Sequence, residues 1–319
     1  MLVCLVKRLT LNRHRCCIKR ERILFFDILR IVAVALILLQ HTPASINHNP
    51  LRHLPLFYDF VYNNGVQFLT YYVSPGPIGV YLLVFISGAV LYRSYAKKKD
   101  QPYKKFVWVR AQRLYPAYWL ALALCALITP EFILNGAYFI PQLTGFLPSA
   151  MYFQWWIGLF MSLYLVFPLL KRALDANPNL TLLSAFVLTI LSRLLIPSDN
   201  FAFLGFPDGA TFLDRVLLPC LIFEFTLGMY VMKKQLYPKM MYAHSVGFFL
   251  ADISYYVFLT HQFVRFYLDS HNPASFWETS SLVAYASTVL VVAVVFMHAD
   301  TQIQKWLSRL EPRIRRYRG

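Results

Sequence analysis

The sequence predicts an all-α, polytopic bundle of transmembrane helices, and three observations carry that expectation. First, 58% of the 319 residues are hydrophobic and only 14% are charged, against about 45–50% and about 25% in soluble domains. Second, the apolar residues arrive in blocks long enough to cross the ~30 Å hydrocarbon layer of a bilayer. Third, Lys and Arg cluster in every other connection between those blocks, as the positive-inside rule requires. The formal charge of +16 is therefore distributed over many short clusters. It forms no single basic patch, and no nucleic-acid partner is expected.

About eight spans follow in order: 24–41, 77–94, 114–130, 153–170, 180–196, 212–232, 246–267 and 280–298. Residues 1–23 form a basic arm, "MLVCLVKRLTLNRHRCCIKRER" with Ile23. The arm lacks the apolar core and small-residue cleavage site of a signal peptide, so it is expected to stay cytoplasmic, against anionic lipid. "KKKDQPYKK", Lys171-Arg172, Lys233-Lys234 and the tail 299–319 supply the other basic clusters. In the alternate connections, 42–76, 131–152, 197–211 and 268–279, Arg52 is the only Lys or Arg. An even number of spans then places both termini in the cytoplasm, with one transmembrane domain over 24–298. Segments 56–72 and 138–153 are rich in aromatics but broken by polar residues and Gly or Pro; they are expected to be interfacial or re-entrant. The five cysteines fall in the basic arm or inside apolar blocks, so no disulfide framework is expected.

Ionisable residues inside such blocks are costly and are usually functional. "FFDILRIVAVALILLQH" carries Asp27, Arg30 and His41. At about 100° and 1.5 Å per residue, Arg30 and His41 fall within about 20° of one helix face and roughly 16 Å apart along it. Asp27, three residues before Arg30, is placed to pair with it. In "YKKFVWVRAQRLYPAYW", Arg110 and Arg113 are i,i+3 neighbours, with Lys105 a turn or more earlier. Guanidinium groups so arranged hold phosphate by bidentate bonds, although a plain topology signal has the same appearance. His261, in "DISYYVFLTHQFVRF", falls at nearly the depth of His41, as a second site histidine or a satisfied core one. Glu224, in "LIFEFTLGMYV", must be paired, protonated or turned to a cavity. No metal-ligand spacing, phosphate-cradling glycine loop or Gly-x-Ser-x-Gly turn is present.

These stretches, with "GVYLLVFISG", "WWIGLFMSLYLVFPLL" and the order in which they occur, resemble the acyltransferase-3 family. Its members are multi-pass O-acyltransferases that modify cell-surface glycans, marked by Arg-x10-His in the first span. The resemblance implies an acyl-CoA donor, acetyl-CoA being expected, that enters from the cytoplasm with its phosphates on Arg110, Arg113 and Lys105. It implies His41 as general base or transient acyl carrier and Arg30 as the group that orients the donor. Asp27, His261 and Glu224 are the further candidates. The acceptor would be a surface glycan or lipid-linked saccharide, and the location the plasma or inner membrane. Family members usually have about ten spans, and Phe160 stands where many carry a glutamate. The chain thus looks shortened, and the acid's role is vacant or taken elsewhere, Glu224 being one candidate. Two other readings stay open: a conduit for a glycan or lipid intermediate, and an inactive shortened relative.

Overall fold

The computed structural model describes residues 23–40, 75–96, 102–128, 140, 143–145, 156–195, 218–238, 245–271 and 279–316. Among them are eight long helices and no strand. We label these α1 (Leu24–Gln40), α2 (Pro75–Ala96), α3 (Tyr103–Ile128), α4 (Trp156–Ala176), α5 (Pro178–Leu195), α6 (Leu218–Lys234), α7 (Ser245–His271) and α8 (Thr279–Arg316). Each coincides with one expected span. Three stretches, Gly76–Ala96, Trp156–Ala176 and Ala284–Leu307, are long and apolar enough to cross a membrane. Helices α1 and α6, at 17 residues each, reach about 26 Å. The expected segment 56–72 lies outside the described residues.

Helices α3 and α8 exceed the expected spans by about a dozen residues or more. Lys104, Lys105, Arg110 and Arg113 end the apolar run without ending the helix, because Lys and Arg are good helix formers. Helix α5 follows its predecessor after a single residue. Asn177 separates α4 from α5, and its side chain accepts from the Leu180 N–H at 3.1 Å as an N-cap. Pro178 then takes the first helical position, where its missing N–H costs nothing. Helix α6 closes on Gln235, which adopts φ 56°. The Leu236 and Gln235 amides donate to the Val231 and Met232 carbonyls at 2.9 and 3.3 Å, a Schellman closure built without glycine. Residues 235–244 alone separate α6 from α7, too few for an additional pair of spans.

Pro116 lies inside α3 and Pro168 inside α4. A proline removes the hydrogen bond to the carbonyl four residues back. For Pro116 that carbonyl is Gln112, and the Gln304 side chain of α8 donates to it at 2.8 Å. The break in one helix thereby becomes the docking point of another.

Helix α2 is the central strut, packed between α1 and α6; α6 in turn carries α5, and α7 packs on α1 and α8. The α2–α6 crossing rests on two glycines. A Cβ on Gly88 would lie 2.0 Å from the Phe225 carbonyl oxygen, and one on Gly228 only 1.9 Å from the Phe85 carbonyl oxygen. Backbone thus meets backbone, the small-residue packing that stabilises helix pairs in lipid, where no hydrophobic effect drives association. Helix α5 is the peripheral element, exposing Leu180, Leu183, Phe186, Val187 and Leu191. Such a face suits hydrocarbon and not water.

Gly228→Ala should force α2 and α6 apart and destabilise the bundle by about 2 kcal/mol or more, read as a lower thermal midpoint in detergent. An unchanged midpoint would contradict the backbone contact.

Candidate functional site

Helices α1, α2, α3, α4 and α7 enclose a cavity of about 200 Å³. Its walls carry Arg30 and Val34 from α1, Leu83 to Leu91 from α2, Arg110 and Leu114 from α3, Trp156, Phe160 and Tyr164 from α4, and Tyr255 and Phe258 from α7. Leu83 to Leu91 spans eight residues, so the lining runs about 12 Å along the bundle. Its lining combines two guanidinium groups, Arg30 and Arg110, with the aromatic side chains of Trp156, Phe160, Tyr164, Tyr255 and Phe258. Ser87 and Tyr164 share a hydrogen bond of 3.3 Å within this wall.

Each of the two cations is held. The Arg30 guanidinium donates to Asp27 at 3.2 Å, across the i,i+3 spacing that one helical turn brings together. Asp27 is buried, so the pair offsets the cost of desolvating both groups. Arg110 donates to the Ser94 hydroxyl at 3.0 Å and lies over the Phe106 ring at 5.5 Å. Arg113 and Lys105, on the same helix, have exposed side chains and are not among the cavity's walls. The structure thus brings Arg30 and Arg110, eighty positions apart in the chain, to one chamber.

The other candidate residues take separate places. His41 directly follows α1 and lies outside the described residues; Gln40, the last residue of α1, accepts from the Gly76 N–H at 3.4 Å. His261 is buried, with Nδ1 2.6 Å from the Phe258 carbonyl oxygen. Since a carbonyl only accepts, Nδ1 carries the hydrogen in this contact. The imidazole stacks on the Phe258 ring at 5.8 Å and 23°, one layer behind the cavity wall. Glu224 pairs with Arg193 of α5 at 2.7 Å, and the Arg193 Nε donates to the Cys220 carbonyl at 3.0 Å. Glu224 does not wall the cavity, whereas Phe160 does. Among the described residues no group of His, Cys, Asp and Glu is placed to hold a metal ion.

Two clusters were not singled out by the sequence reading. Tyr256 donates to the buried carboxylate of Asp300 at 2.7 Å, tying α7 to α8. At the end of α4, Asp175 accepts from Tyr92 of α2 at 2.7 Å and pairs with Lys171 and with Lys233 of α6. The Lys233 ammonium also donates to the Leu174 carbonyl at 2.7 Å, satisfying a helix-end acceptor. Asp175 and Asp300 both lie just past an apolar run, in "KRALDANPN" and "MHADTQIQ", where an acid is ordinary, and their partners on other helices gave no signal. Segment 138–153, expected at an interface, is described at Ile140 and 143–145, where Tyr115 and Trp119 of α3 donate to the Thr144 and Leu143 carbonyls at 2.7 and 2.9 Å.

An all-helical bundle with membrane-spanning helices and a chamber walled by two arginines and several aromatic rings defines a membrane protein with an internal site. The acyltransferase-3 family model, described as an acyltransferase domain, matches residues 23–244, and the chain belongs to that family of membrane acyltransferases. The match takes in α1 to α6 and ends before α7, which carries Tyr255 and His261. No curated protein and no solved structure gives a significant match.

Removing one partner of a buried ion pair strands the other charge, at a cost of about 3–5 kcal/mol. Arg193→Leu should therefore destabilise the protein by roughly 3 kcal/mol, while Arg193→Leu/Glu224→Leu should recover most of the loss. Thermal unfolding of the two variants in detergent checks this; equal destabilisation would show that Glu224 does not depend on Arg193.

Proposed function

We propose that the protein is a membrane-bound O-acyltransferase of the cell membrane, moving an acyl group, acetyl above all, from cytoplasmic acyl-CoA to a hydroxyl of an extracytoplasmic glycan or lipid-linked saccharide. One observation carries this reading: Arg30 and Arg110 wall a single chamber that is otherwise largely apolar. A CoA thioester has the matching order of chemistry. Its phosphates suit the basic run Lys105, Arg110 and Arg113, since planar guanidinium groups bind phosphate through paired, charge-assisted bonds. Its pantetheine arm is neutral and slender, suited to the chamber beyond. With about 200 Å³, the chamber exceeds an engineered 150 Å³ cavity that accepts benzene.

In this reading all eight helices cross the bilayer, both termini are cytoplasmic, and the arm runs from Arg110 toward His41. Arg30, held by Asp27, keeps the donor aligned partway. His41 takes the proton of the acceptor hydroxyl as its oxygen attacks the thioester carbonyl. The C–S bond then breaks, and the proton passes to the departing thiolate to give CoA-SH and the ester. An imidazole suits that exchange because its ordinary pKa near 6.5 lets it accept and return a proton around neutral pH. His261 stands behind Phe258, and Glu224 braces α5 on α6.

The test is incubation of the purified full chain with acetyl-labelled acetyl-CoA and extracted envelope glycans, following CoA release and label transfer. His41→Ala should abolish transfer, by about 100-fold or more for loss of a general base, while acetyl-CoA still binds. Arg110→Ala should weaken acetyl-CoA binding by about tenfold or more. Undiminished transfer by His41→Ala, or wild-type binding by Arg110→Ala, would overturn the reading.

A further inference from the structure

Several polar side chains of the chamber are partnered among the described residues. Arg30 is held by Asp27, Arg110 by Ser94, and Ser87 and Tyr164 by each other. The Tyr255 hydroxyl is buried and has no hydrogen-bond partner among the described residues. Such a group is expensive to keep, and proteins rarely retain one without a use.

The surroundings of Tyr255 fix its ring without using its hydroxyl. The ring stands edge-on to Trp156 at 6.1 Å and 90°. It meets the ring of Tyr256 at 5.1 Å and 74°. Tyr256 commits its own hydroxyl to Asp300, so the two adjacent tyrosines have opposite roles. Phenylalanine would serve for packing at 255; the phenol adds one O–H that rotates about its C–O bond to meet an acceptor in the chamber.

Three observations define the acceptor. A neutral phenol suits a neutral oxygen, since an anion would be drawn to the guanidinium groups and disfavoured by the Asp300 carboxylate that acts on Tyr255. Around it stand Trp156, Phe160 and Phe258, which suit hydrocarbon. Tyr255 also lies six residues before His261, about 9 Å by helical rise, and so below the layer assigned to the reacting thioester. We infer that Tyr255 is a binding residue for the pantetheine arm, donating its hydroxyl hydrogen to an amide carbonyl of that arm while the arm's hydrocarbon lies against the aromatic walls. This rests on the reading of the chamber as the acyl-CoA site and names the part of the donor it grips.

The experiment compares wild type, Tyr255→Phe and Tyr256→Phe for binding of acetyl-CoA, CoA and adenosine 3′-phosphate 5′-diphosphate, which has the charged head but no arm. Tyr255→Phe should weaken acetyl-CoA and CoA alike by about fivefold to tenfold and leave the head group unchanged. Its thermal midpoint without ligand should equal or exceed that of wild type, because an unsatisfied group has been removed. Tyr256→Phe should lower the midpoint by leaving Asp300 short of a donor, with head-group and CoA affinities changed in equal proportion if at all. Wild-type affinity of Tyr255→Phe for CoA, or a loss extending equally to the head group, overturns the inference. If wild type binds none of the three, the acyl-CoA reading itself fails.

Discussion

In a bundle this apolar, a charged or polar side chain away from water needs a partner, and that constraint organises the molecule. Desolvating a charge costs several kcal/mol even after relaxation, so Asp27 closes on Arg30, Glu224 on Arg193, and Asp300 on Tyr256. Each pair has a mechanical consequence. The first stiffens α1 beside the chamber, the second clamps peripheral α5 to α6, and the third joins α7 to α8. Pro116 follows the same rule on the backbone: the carbonyl it leaves without an amide is satisfied from α8. The hydroxyls of Tyr255 and Thr226 are departures from that rule among the described residues, and of the two only Tyr255 walls the chamber.

The chamber exists because neighbouring helices are held at fixed separations. Gly88 and Gly228 let α2 and α6 touch along their backbones, and Gly79 does the same for α2 against α1, where a Cβ would meet the Ala33 carbonyl at 2.5 Å. On the far side, Tyr164, Phe160 and Trp156 of α4 keep their helix at arm's length with large rings. Small residues on one flank and aromatics on the other leave a space with hydroxyls and guanidinium groups in its walls. Function in this account depends on packing asymmetry as much as on any single group.

Much of this was legible in the sequence, for physical reasons. Apolar blocks disclose helices in a membrane because every backbone group must be satisfied within its own segment; all eight helices therefore fell where the blocks did. The Asp27–Arg30 pair was legible because both residues lie on one turn. What escaped was what depends on two helices at once. No pattern within "YKKFVWVRAQRLYPAYW" says that Arg110 turns inward to Arg30's chamber while Arg113 is exposed. Nothing near Glu224 names Arg193, and "SYY" does not reveal which tyrosine is spent and which is free. The ends of α3 and α8 were set too short because hydropathy marks where apolar residues stop, whereas the helix continues through Lys and Arg.

On the proposed function, the donor's arm occupies the chamber among α1, α2, α3, α4 and α7. The most direct test is a cysteine at position 87, replacing a serine of the chamber wall, with alkylation at that residue followed by mass spectrometry in the full-length protein. Saturating CoA should slow alkylation there severalfold while leaving a cysteine at Lys234, exposed at the end of α6, reacting as before. Equal rates at position 87 with and without CoA would contradict the account.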